Sequence, residues 1–123
     1  MQPDPRHVLA TAAVALAIDS VKYRYVTEHD LHNSVETVLE QHAYTVLREH
    51  HIPGGRLDLY LPDQRIAVEI KTSSTGFRPM LRQVATYALD PTVDGVVLVT
   101  NRARHAEMPS TIEGVPVEVV VAW

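Results

Sequence analysis

Three residues whose types and spacing could do chemistry lie in RLDLYLPDQRIAVEIK, residues 56–71. Asp58, Glu69 and Lys71 stand there in the order Asp, ten residues, Glu-x-Lys. Apolar and polar residues alternate on both sides of Pro62-Asp63-Gln64, so the block reads as two short strands around a tight turn at 61–64. Successive strand side chains take opposite faces, which gives Glu69 and Lys71 one face and Ile70 the other. Asp58, on the first strand, reaches the same end of the hairpin. Two carboxylates and an ammonium then meet on a mainly apolar sheet, where charges without partners are expensive. A divalent cation, Mg²⁺ or Mn²⁺, held by Asp58 and Glu69 with a phosphate beside Lys71, would balance the cluster. Such a cation prefers hard oxygen ligands and keeps several waters, and the backbone carbonyl of Ile70 offers a third protein oxygen. The bland alternative has Asp58 capping the turn and Glu69 paired with Lys71.

The elements that must position these residues follow from spacing and punctuation. An alanine-rich helix is expected over about 6–22, then the connector Lys22-Tyr23-Arg24-Tyr25-Val26. Thr27, with Asp30 three residues on, opens a second helix whose apolar face is Leu31, Val35, Val38 and Leu39. A first strand is expected over 43–50, a turn at Pro53-Gly54-Gly55, and strands over 56–61 and 66–72. A loop of small polar residues at 72–76 leads into a third helix over 78–89, with the apolar stripe Phe77, Leu81, Val84, Ala85, Ala88 and Leu89. Residues 95–100 form a continuous apolar run, as expected of a strand buried on both faces. A short helix at 103–108 and a last strand at 115–122 complete the chain. Strand, helix, buried strand predicts a parallel crossover.

Asp58…Glu69-Ile70-Lys71 resembles the core motif of the PD-(D/E)XK nuclease superfamily, Mg²⁺-dependent enzymes that cut phosphodiester bonds. Leu57 occupies the place where that family usually has proline. Gln83-x-x-x-Tyr87 is similar to the Gln-x-x-x-Tyr helix of the RecB-like exonuclease branch. The resemblance covers about 27–100 and implies a restriction-endonuclease-like αβββαβ core: an α/β fold with a mixed central sheet flanked by helices, here with an extra N-terminal helix and a C-terminal strand. It implies hydrolysis of DNA by a metal-activated water, in recombination, repair or degradation, alongside recombination or replication proteins. Asp58, Glu69 and Ile70 would be metal ligands, and Lys71 would hold the attacking water or neutralise phosphoryl charge. Family members often place another acid on the first core helix. At about 100° per residue, Glu28 lies within about 40° of the apolar centre of that helix, whereas Glu36 is more than about 100° away and Glu40 further still. Glu28 is therefore the expected fourth ligand. His32, one turn on, reads as a half-exposed histidine that could approach the same site. Gln83 and Tyr87 are expected on a flank away from the apolar stripe, with Arg78 and Arg82 adding phosphate-binding capacity. A Holliday-junction-resolvase-like endonuclease and a non-catalytic DNA-binding or protein-interaction module are the rival readings.

The 123 residues fit one domain, and 46% apolar composition fits a globular chain. The chain has no cysteine, which excludes disulfides, zinc ribbons and cysteine-ligated iron–sulfur clusters. That absence suits a reducing cytoplasm. The stretch 8–18 is too short to span a bilayer, and MQPDPRH lacks the basic character of a signal-peptide start, so no membrane association is expected. Net charge is −4, but unevenly spread: residues 26–70 hold eight acids against three bases, and residues 71–104 five bases against two acids. A metal-binding half beside a phosphate-gripping half would look like this. The alanine-rich 8–18 face and the apolar tail 115–123 exceed what a minimal core needs, so a homo-oligomer, most simply a dimer, is expected.

Overall fold

A computed structural model describes residues 2–72 and 74–122. Helix α1 (Pro5–Asp19) starts at Asp4, whose carboxylate accepts the Arg6 N–H, with Pro5 in the first turn where its missing N–H is harmless. It ends three residues earlier than the apolar pattern predicts. The reason lies in the tyrosines that follow. Tyr23 donates its hydroxyl to Ile18 O (2.6 Å) and Tyr25 to Ala122 O (2.5 Å), which draws residues 20–26 out of the helical path and straps them along the domain. Helix α2 (Glu28–Gln41) opens with the expected capping box of Thr27 and Asp30, and it buries Leu31, Val35, Val38 and Leu39.

Strand β1 (Leu47–Ile52) is displaced from the expected 43–50. The α2 C-terminus consumes the preceding residues: Tyr44 N–H returns to Leu39 O, and Ala43 takes a left-handed φ of 66°. Pairing with β2 (Gly55–Leu61) then runs out to Ile52 opposite Gly55, so the turn is tighter than Pro53-Gly54-Gly55 suggests. Strand β3 (Ile66–Lys71), helix α3 (Phe77–Ala88) and strand β4 (Gly95–Thr100) follow within a residue or two of expectation. The expected short helix is a 3₁₀ turn (Ala103–Glu107), and a two-residue strand β5 (Thr111–Ile112), which the sequence did not signal, precedes β6 (Val115–Val121). Trp123 of the apolar tail lies outside the described residues.

The strands form one mixed sheet in the order β1-β2-β3-β4-β6-β5. β3, β4 and β6 run parallel, and β1, β2 and β5 join antiparallel. Helices α1 and α2 cover one face through Val14, Ile18, Leu31, Val35 and Leu39, packed on Leu59, Val68, Ile70, Val97 and Val120. Helix α3 covers the other through Met80, Val84 and Tyr87, packed on Tyr60, Ala67, Val96 and Leu98. Strand β4 is buried at every position, as its unbroken apolar run requires. No helix among the described residues is long and apolar enough to cross a membrane.

The α3 stripe differs from the expected one. Leu81 and Ala85 are only half-buried and Leu89 is 65% exposed, whereas Met80, Val84, Tyr87 and Ala88 face the sheet. The helix is therefore rotated about its axis relative to the stripe read from apolar residues alone, because the large Met80 and Tyr87 fill more of the interlayer space.

Where α1 crosses the start of β4, a Cβ built on Gly95 falls on the Thr11 hydroxyl, which itself donates to His7 O (2.6 Å). Gly95→Ala should lower stability by about 1–3 kcal/mol in denaturant titration. Adding Thr11→Ala should recover part of that loss. Additive destabilisation would mean that the close approach is not what demands glycine.

Candidate functional site

The hydrogen-bond ladders flanking Asp58 both break at Asp58. Strands β1 and β2 pair at Arg48–Leu59 and again at His50–Leu57, but Glu49, between them, takes a φ of 51° and skips the pairing with Asp58. On the other side, β2 and β3 pair only from Leu61–Ile66 to Leu59–Val68. Beyond that point Asp58 Oδ2 accepts the Ile70 N–H at 2.8 Å. The side chain of Asp58 thus takes over a backbone bond, and the two strands part around it. Left-handed φ on a residue with a side chain is uncommon and concentrates at functional positions.

The opening sets Asp58 against Glu69. Glu69 is 3% exposed on the α3 face of the sheet. Burial, then contact with the Asp58 carboxylate, pushes its carboxyl up to about 10, while the nearby Tyr87 hydroxyl and Lys71 ammonium pull the other way. Among the described residues no group donates a hydrogen bond to the buried Glu69 Oε2, although the Asp58 carboxyl and the Tyr87 hydroxyl lie beside Glu69. Neither part of the bland alternative is realised: Asp58 is not at the turn, and Lys71 is in no ion pair among the described residues. Ile70 points its side chain into the α1/α2 layer and pairs with Val99 of β4.

Helix α2 approaches from the other layer. Glu28 Oε1 accepts the Thr72 N–H at 2.8 Å, just past the end of β3. His32 Nε2 stands 3.9 Å from Glu28 Oε2 and 3.8 Å from Asp58 Oδ2, with its side chain only 15% exposed. His32 is therefore more enclosed than the half-exposed histidine expected, and its i+4 spacing from Glu28 was the available signal. Glu36 lies elsewhere, paired with Arg48 of β1 at 3.3 Å without hydrogen-bond geometry.

Helix α3 closes the opposite wall. Gln83 Nε2 donates to the Tyr87 hydroxyl at 2.6 Å, which donates to Arg56 O at 3.2 Å on the parted segment of β2. Burial, and then the Glu69 charge, raise the Tyr87 phenol above its ordinary value. Tyr87 is buried rather than on an open flank, so it supports the wall as well as facing the site. A cavity of about 370 Å³ results, lined by Gly54, Gly55, Arg56, Asp58, Glu69, Lys71, Gln83, Thr86 and Tyr87. Arg78 and Arg82 do not line it. They are exposed on the outer face of α3, one turn apart, and Thr86 at the rim continues the same row. Comparison with protein-family models, with curated proteins and with solved structures found no match to the chain.

His105 is a residue that spacing could not have singled out. Fully buried, it sits 2.9 Å from Thr100 Oγ1 through Nδ1 and 3.2 Å from Thr75 O through Nε2. A carbonyl only accepts, so Nε2 carries the proton and Nδ1 accepts from Thr100. This fixes the loop between Lys71 and α3 to the end of β4.

Two carboxylates in contact cannot both stay charged in a buried place without a proton or a cation between them. Among the described residues no three or more His, Asp or Glu side chains gather into a cluster that would hold a metal alone. Mg²⁺ and Mn²⁺ do not need one, since one or two carboxylates with water and substrate oxygens suffice. The unpartnered Glu69 oxygen beside Asp58 fits that donor set.

The metal-free protein should therefore lose stability as pH rises. Folded Glu69 holds its proton up to about pH 10, while an unfolded glutamate releases it near 4.5, so the stabilising contribution is complete below about 4.5 and declines towards 10. A Mg²⁺ or Mn²⁺ held between the two carboxyls would compete with that proton, so melting in EDTA against 10-fold excess cation should show a larger rise in Tm at pH 9 than at pH 5, and none in Glu69→Gln. Equal melting with and without cation at pH 9 would rule out cation binding at the pair.

Proposed function

We propose that this protein is a divalent-metal-dependent deoxyribonuclease of the PD-(D/E)XK kind with RecB-like affinity. The observation that carries the reading is the single cavity that gathers Asp58, Glu69, Lys71, Gln83 and Tyr87 where β2 parts from β3. The element order α2-β1-β2-β3-α3-β4 is that of the αβββαβ core the resemblance implies. Asp58 and Glu69, with the Ile70 carbonyl, would hold the cation, while Glu28, outside the cavity lining, would act from the α2 end through its bond to Thr72. Bound there, a cation would supply an acidified water for attack and positive charge for the phosphoryl oxygens.

The chain's own residues do the rest. The Lys71 ammonium, in no ion pair among the described residues, orients the attacking water or meets negative charge as it develops. The Gln83 amide, fixed by Tyr87, positions the scissile phosphate at the cavity wall. His32, between Glu28 and Asp58, holds the α2 side of the site in register. Arg78 and Arg82 carry the flanking phosphates past the rim.

Incubation with linear, circular and branched DNA in Mg²⁺, Mn²⁺ or EDTA tests it. Cleavage should require the cation and fall at least about 100-fold in Asp58→Ala, Glu69→Ala and Lys71→Ala, with folding retained. Full activity in EDTA or in the Asp58 variant would refute the nuclease reading. Preference for branched over linear ends would favour the resolvase-like alternative, and binding without cleavage the non-catalytic one.

Position in the site predicts graded effects. Glu28→Gln should impair turnover far more than Glu36→Gln, since only Glu28 approaches Thr72 and His32. Arg78→Ala and Arg82→Ala should weaken binding and each lower the salt-dependence slope by about one. Gln83→Ala should lower kcat more than affinity. Parent-like binding and cutting in all of these would remove α3 from the DNA path.

A further inference from the structure

We propose that the outer edge of β6 and the exposed stripe of α1 form an interface between two copies of this chain. The proposal rests on the fold and does not depend on the nuclease reading. Strand β5 pairs with β6 only at Thr111–Pro116 and Ile112–Val115, and Ser110 O takes the Val117 N–H. From residue 118 to 121 no strand covers that edge among the described residues. An uncovered edge with alternating apolar residues is a template for another strand, and proteins usually blunt one with lysine, proline or a bulge. Residues 118–121 are Glu-Val-Val-Val, with the Glu118 charge as the one such device there and Pro116 lying before them under β5.

Beside this edge α1 exposes Leu9 (72%) and Leu16 (70%), two turns apart on one side. Leu16 lines a groove of about 450 Å³ with Ala12 and the edge residues, so strand edge and helix stripe are one continuous surface.

Charge selects a second copy as occupant. Glu118 lies at one end of the exposed edge, Lys22 lines the cleft against Val121 and Ala122 at the other, and Asp19 lies between the two grooves. Neither Glu118 nor Lys22 forms an ion pair within the chain among the described residues. A two-fold axis near Val119 would pair β6 antiparallel with its copy. Glu118 of each copy then faces the partner's Lys22, twice over, while Leu16 of each packs into the partner's groove. The same patch thus supplies both halves of the complementarity.

Light scattering and sedimentation velocity on the full chain test this. The parent should weigh about twice 13.7 kDa at micromolar concentration. Leu16→Glu and Glu118→Lys should each restore the single-chain mass, and Lys22→Glu combined with Glu118→Lys should recover the dimer. If a charge variant fails to fold, cysteine placement decides, since the chain has no cysteine of its own. Val119→Cys should give a covalent dimer on mild oxidation, while His51→Cys on the opposite edge strand should not. A parent that stays at 13.7 kDa, a dimer unaffected by both charge variants, or crosslinking at His51 alone would overturn the proposal.

Discussion

The contact between the Asp58 and Glu69 carboxylates is the interaction around which the rest of the molecule is arranged. Asp58 can reach Glu69 only because β2 leaves β3 after Leu59, and β2 can leave because the Asp58 side chain itself replaces the lost ladder bond to Ile70. Glu69 can be buried beside another acid only if a proton or cation offsets the repulsion. The same pair therefore explains the broken pairing, the left-handed Glu49 opposite Asp58, and the unpartnered Glu69 oxygen. None of these is favourable for a domain that only has to fold. Together they are local exceptions of the kind proteins keep at functional sites.

The two helical layers serve this opening from opposite sides. Helix α2 brings Glu28 and His32 to one lip, held by the capping box that fixes its start and by the Thr72 N–H. Helix α3 brings Gln83 and Tyr87 to the other, held by Tyr87 packing against the sheet and bonding Arg56 O. Thr75, between β3 and α3, is tied to the end of β4 by buried His105. A site shared among three strands, two helices and a loop inherits its precision from the packed sheet beneath it, as preorganised chemistry requires.

Much of this was legible in the sequence because two periodicities carry it. Period-2 alternation set Glu69 and Lys71 on one face, and the 3.6-residue period brought Glu28 to the end of β3, but it misread Glu36, which is the more enclosed of the two acids and lies against Arg48 of β1. The Thr27 and Asp30 box fixed where α2 begins, and with it the phase of that helix. Where the reading slipped, a long-range bond had overridden local pattern. Tyr25 reaching Ala122 shortened α1, and the hairpin register moved β1. In α3 the pattern of apolar residue types missed that Met80 and Tyr87 fill the interlayer space, so Tyr87 was placed on an open flank. His105 was invisible because one partner, Thr100, is set by the local 3₁₀ turn and the other, Thr75, meets it only through the crossover. The broken ladder was invisible too, since nothing in the types of Glu49 or Asp58 announces it.

In the proposed function a divalent cation occupies the space between Asp58 and Glu69. Diffraction at the manganese absorption edge from crystals grown with Mn²⁺ tests this most directly. The expected result is an anomalous peak about 2.1 Å from carboxylate oxygens of both Asp58 and Glu69, absent from Glu69→Gln crystals. A parent structure that leaves the two carboxyls sharing a proton, with manganese elsewhere or nowhere, would contradict it.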